Sequence, residues 1–412
     1  MAKIKFNSLS FVDLKQEVQA VFMKQFYFLI PKPELARLGR YMISEDALEF
    51  PDLSFEKAQR KFMLIIDKYM EQLKSVQTDN KAIYVHSNSK TPLIGTGYIG
   101  LVDRNSNIIE IKPQTGCNLN CIFCSVEEGI TSKKNDFVVE KDYLIQEIKE
   151  LIKFKADPDI EAHIGTNGEP LLYSDLVGLV EDLNQIFGIK RISMDTNGTL
   201  LTKDKVDKLA QAGMTGFNIS INAISPDTAK MLAGLNFNSQ HQQEIADYIA
   251  SLCNQHNIRL NIAPIWVPGF NDNQMDLLAE FVKNLRQKHK TDQVHLAIQN
   301  FLEYKGGRTP ARQKPWQKFY KELREMEAKH NLKMVYTAED FGVHPTKKLP
   351  KPFKKGDKIK VKIVSPGRTG KEALAVPVEN ANRAITVIGN HSMDSTKKVE
   401  IIRDKHNIFL AK

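Results

Sequence analysis

No apolar run in this chain reaches the roughly 18–20 residues that a membrane-spanning helix needs, so a helical membrane protein is not expected. Cysteine is scarce: there are four in 412 residues. Three are crowded together with no partner set elsewhere, which argues against a disulfide framework. A structural zinc site usually pairs two C-x2-C units, or one with a distant H-x3-5-H; no second C-x2-C exists. There is no P-loop either, since Gly367-Arg-Thr-Gly-Lys371 is too short for G-x4-GK[ST]. The apolar stretch Val18–Ile30 is interrupted by Lys24 and Gln25 and lacks a cleavage pattern. It reads as a packed helix rather than a signal peptide. With 42% hydrophobic and 26% charged residues the chain is globular. Its length suggests two or three domains. Clustered free thiols need a reducing compartment, so the expected location is cytoplasmic, with no membrane partner.

What is present is the spacing C-x3-C-x2-C in Thr115-Gly-Cys117-Asn-Leu-Asn-Cys121-Ile-Phe123-Cys124. A [4Fe–4S] cluster takes Cys thiolates and normally four of them. Three ligands leave one iron without a protein donor, open for chemistry. Cys253 is left over, on the apolar side of a helix pattern with Ile245, Ile249 and Leu252, and reads as a buried core thiol.

The chain's period changes along its length. Residues 1–82 read as helical: Phe11–Met23 has apolar residues at helical spacing. Ser54 is a plausible N-cap for a second amphipathic helix reaching Leu73. Residues 83–106 alternate around Gly95, Gly97 and Gly100 and suggest a β-hairpin lead-in. From 107 to 340 strand and helix patterns repeat. The expected strands are Ile108–Lys112, Ile160–Ile164, Arg191–Met194, Gly216–Ile221, Leu260–Val267 and Val294–Gln299. Helical stretches lie between them, and this argues for a parallel α/β sheet with its ligands at the carboxyl ends of the strands.

The cysteine spacing, with Phe123 before the last Cys, resembles the signature of the radical S-adenosylmethionine (SAM) enzymes. The resemblance implies a partial (β/α)6 TIM-type barrel, a [4Fe–4S] cluster on Cys117, Cys121 and Cys124, and SAM on the open iron, cleaved to a 5′-deoxyadenosyl radical. It also implies roles for the turns after successive strands. Asn167-Gly168-Glu169-Pro170 stands where relatives bind the SAM amine, with Asn167 in place of a Gly. Asn197 lies in the turn after the third strand. Ser220 and Asn222 would address the ribose and carboxylate, and Phe123 would pack near the adenine.

Charge is concentrated at one end. Residues 347–412 hold 16 Lys and Arg against 6 Asp and Glu, while the rest of the chain holds 42 against 43. A small basic module on a neutral body is the footprint of a polyanion partner. Its four or five short alternating strands suggest a small β-barrel. This segment resembles a TRAM (OB-like) RNA-binding domain of archaeal type. The expected RNA contacts are Lys354, Lys355, Lys358, Lys360, Lys362, Arg368, Arg403 and Lys405. Lys305-Gly-Gly-Arg308, Arg312 and Lys314 form a second basic stretch, placed either to guide a phosphate backbone or as a mobile loop.

With too few cysteines for a sacrificial or auxiliary cluster, methylthiotransferases are excluded. The expected function is RNA modification, with tRNA as substrate and a ferredoxin or flavodoxin as electron donor. Two alternatives stand: a radical SAM enzyme acting on a protein, peptide or small metabolite, and a non-catalytic iron–sulfur RNA-binding protein.

Overall fold

A computed structural model describes residues 2–6, 8–165, 167–234, 237–380 and 382–412. Six parallel strands carry the centre of the molecule: β1 (Ile108–Lys112), β2 (Ile160–Ile164), β3 (Ile189–Thr196), β4 (Gly216–Ile219), β5 (Arg259–Ile262) and β6 (Val294–Leu296). They lie side by side in sequence order, and Gly100–Asp103 adds an antiparallel strand beyond β1. Each crossover carries a helix, including Lys141–Lys155, Leu176–Asn184, Lys203–Ala212, Ser239–His256 and Met275–His289. The expected strand–helix order is borne out. A helix at Pro226–Ala233 was not expected from the sequence; Ser225 precedes it and Pro226 opens it.

Alternation along the strands gives the sheet two unlike faces. Ile109, Ile111, Ala162, Ile164, Ile192, Met194, Phe217, Ile219, Leu260 and Ile262 are buried in the main core. The alternate positions Glu110, Lys112, Glu161, His163, Ser193, Asp195, Asn218 and Asn261 are polar and fall on the opposite face. Buried Cys253 packs in that core and donates its thiol to Ile249 O at 3.5 Å, in line with a structural role.

The first 82 residues carry more strand than helix. Leu9–Asp13, Glu17–Phe22, Phe26–Pro31 and Lys74–Ser75 form one antiparallel sheet; Ala2–Lys5, Met42–Ser44 and Ala47–Phe50 form another. The helix expected from Ser54 is present over Phe55–Met70, capped by the Ser54 hydroxyl on Lys57 N. Residues 11–23 mislead because Val18, Ala20 and Phe22 point inward at a period of two that overlaps a helical one. The turn that follows is made by Met23 and Lys24 at φ 51° and 60°, without the Gly or Asn that normally announces it. In the 83–106 region only Gly100–Asp103 forms a hairpin, with β1. Ala82–Val85 pairs in parallel with Asp136–Val139 instead.

At the other end, Lys358–Pro366, Glu372–Pro377, Ile385–Ile388, Thr396–Arg403 and Leu410–Ala411 close into a five-stranded barrel. Its core is small and separate: Val361, Ile363, Ala375, Ile385, Val387, Ile401 and Phe409. Backbone bonds from Ala384 N to Ile94 O and from Phe409 N to Gly95 O, both 2.8 Å, fasten it to the body.

Candidate active site

Above the carboxyl ends of β1–β4 lies a cavity of about 250 Å³ walled by Cys117, Cys121, Cys124, Phe123, Gly168, Glu169, Asn197, Ser220 and Asn222. These residues come from four separate segments of the sequence, and the parallel topology brings their turns to one rim.

The cysteine loop is held from several sides. Asn120 N and Ile122 N donate to Ala233 O and Leu232 O, each at 3.0 Å, so the unexpected helix Pro226–Ala233 is the loop's backing. Arg308 donates to Cys121 O at 2.8 Å and Asn120 Oδ1 at 2.7 Å, and its backbone N donates to Cys124 O at 2.9 Å. Arg308 is thus committed to the cysteine loop and is not a free phosphate guide. Phe123 is buried against Leu232, Val267 and Phe301 while also facing the cavity.

Two short strands meet under the cavity: Thr115 pairs with Asn167 and Gly116 with Gly168. Gly168 has φ +153°, and a Cβ there would lie 1.9 Å from Gly116 O, so no other residue fits without moving backbone. Thr166 of this motif lies outside the described residues. Pro170 opens a buried single turn, Pro170–Leu172. The fully enclosed Glu169 carboxylate accepts from Leu171 N (3.0 Å), the Thr196 hydroxyl (2.6 Å) and Asn197 N (2.8 Å). Burial outweighs these donors and lifts its pKa to about 7.

Asn197 donates from its amide to Asn118 Oδ1 at 2.9 Å and, more weakly, to Cys117 Sγ at 3.9 Å. Ser220 stands on the cavity wall just past β4. Asn222 lies there too, but its amide is used: it accepts from Ile265 N at 2.9 Å and donates to Ser220 O at 3.1 Å, bridging the ends of β4 and β5.

Burial pushes the Cys121 thiol up to about 12 and shifts Cys117 in the same direction. Such thiols become thiolates at neutral pH only against a cation, and the three share one wall, so the donor set fits an iron–sulfur cluster. Among the described residues no three His, Cys, Asp or Glu side chains already converge on a point; the thiols line the cavity without closing a cage.

Arg368, expected to touch RNA, is buried instead. Its guanidinium donates to the Thr115 hydroxyl at 2.8 Å and to Asn135 O, pairs with Glu128, and lies 3.5 Å from Asp136. Thr115 is two residues before Cys117, and Glu128 donates its N–H to Cys124 Sγ at 3.3 Å. The terminal barrel therefore braces both ends of the cysteine loop. Lys362 is half-buried and paired with Asp394 at 2.8 Å, whereas Lys354, Lys355, Lys358, Lys360, Arg403 and Lys405 are exposed.

Sequence reading also missed the polar face of the sheet, although strand alternation carried the signal. His163 Nε2 lies 3.1 Å from Asp195 and Nδ1 2.8 Å from the Ser193 hydroxyl, which donates to Glu161 at 2.5 Å. Burial alone would lower the His163 pKa, but the Asp195 charge, with Glu161 and Glu110 beyond, lifts it to about 9. Around this network lies a second cavity of about 340 Å³ that shares Asp195 with the first.

The fold and cavity define an α/β protein with a cysteine-walled site at the ends of its parallel strands. The profile of the Radical SAM superfamily matches residues 111–282. An uncharacterized protein of Methanocaldococcus jannaschii is 39% identical over 370 residues, covering 84% of each chain. GTP 3′,8-cyclases of Aquifex aeolicus and Listeria monocytogenes are 29% and 32% identical over 185 and 183 residues. Those matches cover 45% and 44% of this chain and only 55% and 52% of the cyclases, about half their length. Among solved structures, SuiB of Streptococcus suis bound to S-adenosylmethionine is 14% identical with a TM-score of 0.40, over 81% of this chain and 72% of that one. A spore photoproduct lyase is 16% identical with a TM-score of 0.42, over 63% and 79%. The chain carries a radical SAM superfamily domain over residues 111–282. It is a radical SAM enzyme, and its cofactors are a [4Fe–4S] cluster and S-adenosylmethionine. Enzymes of this class need an electron donor. Among the described residues no helix is long and apolar enough to cross a membrane.

Proposed function

We propose that this enzyme modifies RNA, with tRNA as its substrate, by hydrogen abstraction from a base, ribose or base side chain. The observation that carries the reading is the location of the basic excess. All of it falls in residues 347–412, which fold as a closed barrel with Lys354, Lys355, Lys358 and Lys360 exposed at one end and along one strand. A TRAM-like role for this barrel, docking RNA to a catalytic unit at 107–340, accounts for that distribution. Phosphate neutralisation by Lys and Arg dominates non-specific nucleic-acid affinity.

Cys117, Cys121 and Cys124 would hold the cluster, which when bound supplies the electron for reductive cleavage of SAM. Glu169, already oriented by three donors, would receive the SAM ammonium, with Gly168 letting the backbone approach. Asn197 and Ser220 complete the wall, Phe123 offers an apolar face, and Asn222 holds the wall in shape. A ferredoxin or flavodoxin would supply the electron.

Gly168→Ala is expected to lower SAM affinity at least tenfold, since the added methyl must displace the Gly116 carbonyl; calorimetric titration of SAM measures it. Reversal of Lys354, Lys355, Lys358 and Lys360 to Glu is expected to weaken tRNA binding. The slope of log affinity against log salt should flatten by about 0.9 for each phosphate that is no longer neutralised. Mass spectrometry of tRNA nucleosides from a strain lacking the gene completes the test. An unchanged profile, with tRNA affinity unaltered in the lysine variant, would move the reading to a peptide or metabolite substrate.

A further inference from the structure

A second concentration of positive charge lies away from the barrel. Residues 304–324 contain six Lys and Arg beyond Arg308, against the single acid Glu322. They form the loop after β6 and the first turns of the helix Trp316–His330, on the same rim as the cysteine cavity. The loop is anchored at the site by Arg308 on Cys121 O and closed on itself by Gln313 N donating to Glu303 at 2.9 Å. Lys314 turns inward, over the Trp266 ring and onto Glu322 at 2.6 Å. Lys305, Arg312, Lys318, Lys321 and Arg324 lie on the outer side of this segment.

Aromatic rings are interleaved with these cations. Trp316 is 48% exposed and Tyr320 38%, and their rings stack with centroids 5.8 Å apart and planes 25° from parallel. Phe319 beneath them is buried, edge-on to Trp316 at 5.9 Å, and fixes the platform to the core. Trp316, Tyr320 and Arg324 follow at four-residue intervals, hence on one face of the helix. Large exposed rings on a rigid base, flanked by cations, are what a single-stranded nucleic acid requires: a π surface for an unpaired base and charge for the backbone.

We infer that this face holds an unpaired stretch of RNA, with a base stacked on Trp316 and Tyr320 and the backbone following Arg312 and Lys305 toward the cysteine cavity. The choice of ligand rests on the RNA reading above and adds to it. The barrel would hold the folded body of the substrate, and the aromatic face would present its unpaired segment to the site.

The chain has two tryptophans, and the other, Trp266, is only 6% exposed, so fluorescence quenching reports chiefly on Trp316. The probe is an unstructured hexameric oligoadenylate titrated into the full-length protein. Saturable quenching is expected. In Trp316→Ala/Tyr320→Ala, affinity for the same oligonucleotide read by fluorescence anisotropy should fall tenfold or more. Trp316→Phe/Tyr320→Phe, which keeps two stacking rings, should retain most of it, and this separates stacking from misfolding. The barrel lysine variant should lose tRNA affinity while keeping the hexamer. Hexamer binding without quenching, or undiminished binding in the double-alanine variant, overturns the inference and leaves the barrel reading intact. Equal quenching by polyglutamate would assign the face to protein and also overturns it. Failure of the wild-type protein to bind either tRNA or hexamer removes the RNA reading beneath it.

Discussion

Arg368→Ala is expected to destabilise the protein by about 3–5 kcal/mol, because it removes one partner from a buried charge pair and strands the other. The stranded groups are Glu128 and Asp136, whose side chains are 3% and 5% exposed. The substitution also frees both ends of the cysteine loop, since Arg368 holds Thr115 ahead of Cys117 and Glu128 behind Cys124. Two measurements follow it: the midpoint of chemical unfolding, and iron retained per chain after anaerobic reconstitution and desalting. Both should drop. Arg368→Met with Glu128→Gln should be clearly more stable than Arg368→Met alone, because the buried carboxylate is then gone. Without that recovery, Arg368 acts through packing rather than charge.

The second large effect belongs to Glu169. Its carboxyl, raised by burial to about 7, is half protonated near neutrality in the ligand-free protein. A cationic ammonium binds the ionised form, so SAM affinity should fall close to tenfold per pH unit below about 7 and level off above it. Folding follows the matching sign. Between the ordinary carboxyl value of 4.5 and about 7, the folded state keeps a proton that the unfolded chain releases. Stability of the free protein therefore decreases as pH rises through that window. The thermal shift produced by saturating SAM should grow from pH 6 to 8. Glu169→Gln should flatten this dependence and cost about 2–5 kcal/mol of SAM binding, as for one member of a buried charged pair. A Gln variant with a normal profile would place the ammonium elsewhere.

Much of the site could be read from residues near one another in sequence. Cys117, Cys121 and Cys124 sit within eight residues, and Asn167–Pro170 forms one turn. The six core strands were visible because apolar runs alternated with helical stretches. The polar positions on those strands were equally visible, but only the sheet shows that Glu161, His163, Ser193 and Asp195 touch. Asn222 was expected to address SAM; it lines the cavity, and its amide also bridges Ile265 N and Ser220 O, a link that depends on where β5 ends.

The sequence alone determined the three-thiol spacing, the strand–helix order and the segregation of charge, since each is a matter of neighbours or of counting. Tertiary structure decided which charges are free. Arg308 and Arg368 were indistinguishable in sequence from surface cations, but their partners lie 187 and about 240–253 residues away. It also made strands of the first thirty residues, where Met23 and Lys24 turn the chain without a glycine and a period of two could pass for a helix. Local chemistry sets which groups are available; only packing decides which of them are used up before a substrate arrives.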